Sequence, residues 1–173
     1  SSLTQITIPS SVTSIGNQAF LNCSSLTQIT IPSSVTSIGA NLFEGCTRLE
    51  TIYVDPKNTH YVSIDDVLFT KDNRILICYA CKNKTTQYTI PSSVKSIGQG
   101  AFSSCTSLRQ ITIPSSVTSI GNRAFFNCRS LTQITIPSSV KSIQNSVFHH
   151  CKSLRQITIP SSVASIGETA FSE

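Results

Sequence analysis

The side chains in this 173-residue chain best suited to chemistry are its seven cysteines and three histidines, which could ligate a metal, exchange disulfides or act as nucleophiles. Five cysteines, Cys23, Cys46, Cys105, Cys128 and Cys151, follow one another at steps of 23, 59, 23 and 23 residues. Thiols at one phase of a stacked coil project parallel Cβ vectors, which frustrates the geometry of a disulfide. The odd total argues the same way, so free, buried, apolar thiols are expected. Cys78-Tyr79-Ala80-Cys81 is the one Cys-x-x-Cys. A four-ligand zinc site needs a second such pair, and none follows, so this pair is expected to pack inside an irregular unit. In His149-His150-Cys151 the cysteine points into the core, and adjacent histidines on a turn cannot both follow it, which leaves surface histidines. No glycine-rich phosphate loop, nucleophile elbow or paired-carboxylate spacing occurs. Serines are abundant because Ser-Ser recurs in every turn. No catalytic, cofactor or metal site is therefore expected, and the chain is read as not an enzyme.

These residues sit in a block of 23, Leu-Thr-Gln-Ile-Thr-Ile-Pro-Ser-Ser-Val-Thr-Ser-Ile-Gly-x-x-Ala-Phe-x-x-Cys-x-x, that recurs along nearly the whole chain. Pro9, Pro32, Pro91, Pro114, Pro137 and Pro160 keep the register, as do Phe20, Phe43, Phe102, Phe125, Phe148 and Phe171. Seven units result, 1–23, 24–46, 47–82, 83–105, 106–128, 129–151 and 152–173, the third carrying 13 extra residues. A period in this range with aliphatic anchors signals a leucine-rich-repeat solenoid, read here as a single domain in which each coil buries its apolar residues against its neighbours.

Within a coil, the alternation around Ile6 and Ile8 predicts a half-buried strand with Gln5 and Thr7 facing solvent. Pro9 ends the strand and Ser10-Ser11 turn the chain. Val12 and Ile15 return inward on a short second strand. Gly16 supplies conformational freedom or a close approach, and Asn17 to Phe20 suits one helical turn capped by the Asn side chain. Stacking then makes a parallel sheet on one face and a phenylalanine spine. Gln144 replaces glycine in the Gly16 column: it should be strained if the column needs positive φ, and ordinary if the glycine serves only packing.

Charge is asymmetric. The net charge is +5, yet no carboxylate lies between Asp72 and Glu168. By register Arg109 and Arg155 share the position just before the sheet, and Arg129 and Lys152 share the turn three residues earlier, a basic rim suited to an anionic glycan, an acidic protein or a lipid headgroup. Nucleic acid is not expected, because the exposed columns lack interleaved aromatics. Those columns are nearly uniform Thr and Gln, broken by Tyr53, Glu50, Arg109 and Arg155. Such repetition fits weak multivalent contact or a spacer better than one hot spot.

In unit three, Val67-Leu68-Phe69 and Ile75-Leu76-Ile77 read as a β-hairpin joined by Thr70 to Arg74. Being apolar on both faces, it is expected to pack on the solenoid edge, and residues 55–84 form a second contact candidate. Asn22-Cys23-Ser24 and Asn83-Lys84-Thr85 are glycosylation sequons, Asn83 being the better acceptor. No apolar run approaches the roughly 18 residues of a membrane span and no signal pattern opens the chain, so no membrane insertion is expected in this segment. The ends share one phase and lack polar caps. They read as cuts in a longer array whose exposed coils favour end-to-end self-association.

The string Leu-x-x-Ile-x-Ile-Pro-x-x-Val-x-x-Ile-Gly-x-x-Ala-Phe-x-x-Cys, together with the insertion through Val54–Asn58, Tyr61 and Asp65–Phe69, resembles the BspA-type, or Treponema pallidum-type, leucine-rich repeats. The resemblance implies a curved solenoid from a cell-surface or secreted protein, binding host-cell or matrix protein or glycan, with no catalytic residues. Two alternatives stand beside it. One is a structural spacer or self-assembling stalk; the other is an intracellular, cytoplasmic scaffold, suggested by unpaired cysteines alone. The candidate binding residues are Tyr53, Glu50, Arg109, Arg129, Lys152 and Arg155.

Overall fold

The computed structural model describes residues 2–81 and 85–172. Asn83 of the second sequon, Lys82 and Lys84 lie outside them. The first three coils carry β1 (Gln5–Ile6) and β2 (Ser14–Ile15), β3 (Gln28–Ile31) and β4 (Ser37–Ile38), then β5 (Thr51–Val54), β6 (Tyr61–Ile64), β7 (Val67–Thr70) and β8 (Ile75–Tyr79). Coils four to seven each carry two: β9 (Gln87–Thr89) and β10 (Ser96–Ile97), β11 (Gln110–Thr112) and β12 (Ser119–Ile120), β13 (Gln133–Thr135) and β14 (Ser142–Ile143), β15 (Gln156–Thr158) and β16 (Ser165–Ile166).

The first strand of each coil pairs in parallel with its equivalent one period away, as in Gln110↔Gln133 and Ile111↔Ile134. The 23-residue period of the sequence is thus the register of the sheet. Ile29 and Ile31 point inward while Gln28 and Thr30 face solvent, the alternation that a one-sided sheet requires. The short second strands pair likewise, β2 with β4 and β14 with β16. The fold is a leucine-rich-repeat β-solenoid of about seven turns.

Two features differ from expectation, and a third decides between two expected outcomes. Residues after the glycine form turns, and no helix occurs among the described residues. Gln18 and Asn22 both have left-handed φ, 56° and 57°, as do Arg123 and Asn127 at 56° and 59°, and a right-handed helix cannot pass through such residues. The N–H groups of this turn instead bond along the stack: Gln18 to the Ala40 carbonyl at 2.9 Å, Phe20 to that of Leu42 at 3.2 Å and Asn22 to that of Glu44 at 2.8 Å. The Asn17 side chain caps across coils too, its Oδ1 accepting from the Ala40 N–H at 2.8 Å. A ladder that repeats at every coil wins over one isolated helical turn, whose nucleation is unfavourable.

Second, the inserted hairpin is a wedge and not an edge decoration. β6, β7 and β8 form an antiparallel meander whose first turn, Asp65-Asp66, has left-handed φ at both residues, 50° and 62°, as a two-residue hairpin turn demands. Along β7, Val67 and Phe69 enter the core of coils four to seven, while Leu68 enters the core of coils one to three. Apolar residues on both faces find cover because each face meets a different half. β8 then serves as the second strand of coil three, Ile75 and Leu76 pairing with Ser96 and Ile97. The wedge divides the main sheet into β1-β3-β5 and β9-β11-β13-β15. The aromatic spine divides with it. Phe20 stacks on Phe43, and a separate run goes from Tyr79 through Phe102, Phe125 and Phe148 to Phe171, with neighbouring centroids 5.3–5.5 Å apart.

Third, Gln144 has no left-handed φ, and the column glycines Gly16, Gly39, Gly98, Gly121 and Gly167 have none either. The glycine serves close approach. A Cβ on Gly39, Gly121 or Gly167 would lie 2.4, 2.7 or 2.7 Å from a backbone nitrogen of the preceding coil, closer than atoms tolerate.

Candidate functional site

The exposed sheet face consists of side chains that the stack does not need for its core. Over β11, β13 and β15, Gln110, Gln133 and Gln156 line a shallow groove of about 370 Å³ with Thr112, Thr135 and Thr158. A second groove of about 270 Å³ repeats this over Gln5, Thr7, Gln28 and Thr30. Consecutive strands space these amide and hydroxyl columns about 4.8 Å apart.

Glu50, Arg109, Arg129, Lys152 and Arg155 are all exposed, and Tyr53 on β5 is 49% exposed. The backbone carries Arg109 onto Thr86, Thr132 onto Arg109 and Arg155 onto Thr132 through N–H···O bonds of 2.7, 3.0 and 3.1 Å. Arg109 and Arg155 thus stand two strand spacings apart, about 9–10 Å. Arg129 and Lys152 occupy one turn position in consecutive coils. Glu50 and Tyr53 belong to the other half of the sheet, across the wedge, so the structure does not bring them into one column with the arginines. The sequence reading missed the Asp65-Asp66 turn, which reaches that seam. Burial pushes the Tyr88 hydroxyl on β9 well up, and the neighbouring Tyr79 and Asp65 add to the effect. Beside the turn Ile64 is 44% exposed. The seam therefore joins a half-buried aromatic, Tyr88, to exposed aliphatic and acidic groups, Ile64 and Asp65.

The cysteines require one correction. Cys46, Cys78, Cys128 and Cys151 are free and buried, and Cys23 is free and half-buried. Cys105, however, is bonded to Cys81, with Cα atoms 4.7 Å apart and a sequence separation of 24. The parallel-vector argument applies to cysteines at equal phase. Cys81 lies one residue short of that phase, and this offset lets it face Cys105 across the junction of coils three and four. The free thiols act as weak donors along the stack, Cys128 Sγ to the Phe102 carbonyl and Cys151 Sγ to that of Phe125, both at 3.1 Å. Burial pushes Cys46 and Cys151 up to about 12 and Cys128 well above the usual thiol value, so they are poor nucleophiles. Among the described residues no three His, Cys, Asp or Glu side chains converge as a metal site.

His149 and His150 are half-buried, not simply solvated. Phe126 stacks on His149 at 5.3 Å and meets His150 edge-on at 5.8 Å. The Arg123 guanidinium lies 5.2 Å from the Phe126 centroid and pairs with Glu44 at 3.3 Å. Burial pushes the His149 imidazole below its usual value, with His150 and Arg123 adding to the effect. The signal available in the sequence was that phenylalanine and histidine occupy, in consecutive units, a column that elsewhere holds Leu21, Glu44, Ser103 and Ser172.

The profile of the BspA type leucine rich repeat region matches six copies, over residues 1–83 and 76–173. No curated protein sequence matches. Among solved structures, the chain is similar to a leucine rich cell surface protein from Faecalibacterium prausnitzii at 40% identity and a TM-score of 0.87, covering 95% of this chain and 43% of that one. It is similar to the pneumococcal vaccine antigen PcpA at 27% identity and a TM-score of 0.84, over 96% and 47%. It is also similar to the T. pallidum leucine rich repeat protein at 30% identity and a TM-score of 0.55, over 95% and 73%. The chain spans less than half the length of the first two.

Proposed function

The chain belongs to the BspA-type leucine-rich-repeat family, and from that premise we propose that it is a non-enzymatic interaction module of a surface or secreted protein, adhering to host-cell or matrix protein or anionic glycan. The observation that carries this reading is the exposed sheet. Its Gln and Thr columns form continuous grooves beside exposed Arg109, Arg129, Lys152 and Arg155, in a stretch of sequence without carboxylates. Two further points support it. A disulfide suits an oxidising compartment and counts against the cytoplasmic scaffold, and two similar proteins are described as a cell surface protein and a vaccine antigen.

Heparin chromatography at graded salt, with solid-phase binding to matrix proteins, tests the proposal. Wild type should be retained, and replacing Arg109, Arg129, Lys152 and Arg155 together by Ala should lower the log–log salt slope by roughly 3–4, about one per lost contact. Unchanged retention would refute the basic rim. The uniformity of the Gln and Thr columns favours a second reading, a structural spacer. Strictly monomeric sedimentation at all concentrations counts against a self-assembling stalk.

A further inference from the structure

Among the described residues, the turn column that holds Leu21, Glu44, Ser103 and Ser172 carries rings in two consecutive coils. Phe126 and His149 succeed Leu21, Glu44 and Ser103, and the left-handed φ of His150, 59°, sets its ring 4.0 Å from that of His149. Nothing in the coil-to-coil ladder requires these rings. The Nδ1 atoms of both histidines are buried without a hydrogen-bond partner. An orphaned acceptor is tolerated better than an orphaned N–H, so the proton of each neutral ring belongs on Nε2. The same fact argues against a metal, because a metal-ligating histidine donates its other ring N–H to a partner. Both rings therefore offer donors and no outward acceptor. Arg123 adds guanidinium N–H groups, and the carboxylate against the cluster, Glu44, is committed to Arg123. Arg129 adjoins through Asn127, which takes the Arg129 Nε–H at 2.7 Å and donates its own N–H to the His149 carbonyl at 2.8 Å. Lys152 is exposed two residues beyond His150.

We infer that Arg123, His149 and His150, held in place by Phe126, form an oxyanion site that takes a sulfate or carboxylate group of an acidic glycan, flanked by Arg129 and Lys152. Fixed ring stacking makes such a site specific where a bare basic rim is not, because the donors are positioned before the ligand arrives. The inference deepens the adhesion reading and rests on its glycan arm.

Titration of the folded chain with a heparin tetrasaccharide, followed by the His149 and His150 ring resonances and by calorimetry, tests it. Both rings should shift and saturate with the calorimetric affinity. His149→Ala with His150→Ala should lower affinity by roughly tenfold or more, as expected for losing two hydrogen bonds to a charged group. His149→Gln with His150→Gln, which keep N–H donors, should retain more of it. A desulfated tetrasaccharide that still binds identifies the carboxylate; one that does not identifies the sulfate. Unmoved rings at saturation, equal binding of a neutral tetrasaccharide, or unchanged affinity in the double alanine variant would overturn the site. Loss of binding in Arg109→Ala with Arg155→Ala alone would overturn it while leaving the adhesion reading intact.

Discussion

Gln144→Gly should stabilise the protein, against the usual cost of glycine. In the other coils the column glycine donates its N–H to the coil before it: Gly39 to Ile15, Gly98 to Leu76, Gly121 to Ile97 and Gly167 to Ile143, at 2.8, 2.8, 2.9 and 2.7 Å. The residue three earlier does the same, as Thr118 does to Lys95 at 2.9 Å. Neither Gln144 nor Lys141 makes its equivalent bond to coil five, and β12 and β14 do not pair. The Gln144 Cβ holds these strands apart on one side while β11 and β13 stay paired on the other. Removing it should let two backbone bonds form, worth about 1 kcal/mol each. Glycine costs about 0.5–1 kcal/mol in chain entropy, and the exposed Gln144 Nε2–H bond to Ser142 Oγ is lost at about 0.5 kcal/mol. The net gain is about 0.5–1 kcal/mol, or a rise of roughly 1–4 °C in Tm for a chain of this length. The reverse change, Gly121→Ala, puts a Cβ 2.7 Å from the Gln99 backbone nitrogen and should cost about 1–3 kcal/mol. Urea unfolding gives both energies, and hydrogen exchange should show new protection at the amides of residues 141 and 144. A Gln144→Gly variant less stable than wild type, with those amides still exchanging freely, would refute the close-approach account.

Cys81→Ser should lower stability by about 3–4 kcal/mol, the loop-closure value for a separation of this size, measured as the urea midpoint without reductant; a loss below about 1 kcal/mol would show that the seam needs no staple. Phe125→Ala, which removes a ring stacked between Phe102 and Phe148, should cost about 3–5 kcal/mol by the same assay. At pH 8 iodoacetamide should leave Cys46 and Cys151 unlabelled in the native protein, since about one in ten thousand of thiols at about 12 is ionised, and label both after unfolding. Mass spectrometry distinguishes the two.

Most of the fold was legible because the chain repeats. Ile6, Ile29, Ile111 and Ile134 alternate with polar neighbours, and equal spacing makes equivalent residues partners. The hairpin Val67–Ile77 was legible as two apolar runs, but β6 and the Asp65-Asp66 turn were not, since neither strand alternation nor a glycine marks them. The expected helical turn failed where a local cap at Asn17 competed with a ladder along the stack. The free-thiol reading failed only for Cys81 and Cys105, where phase arithmetic has nothing to say about a cysteine displaced by one residue. Two adjacent side chains in an ordinary turn diverge, so the sequence implies separate surface histidines at 149 and 150; the left-handed φ of His150 reunites their rings.

The sequence by itself determined the stack, its register and its core, because a chain that repeats every 23 residues offers each apolar side chain and each backbone group an identical partner one period away. Tertiary structure alone decided what happens where the period fails. The wedge takes its place because β7 satisfies two cores at once, and that packing separates Glu50 and Tyr53 from Arg109 and Arg155. The disulfide and the Phe126–His149–His150 cluster likewise depend on distances between coils, which no single repeat encodes.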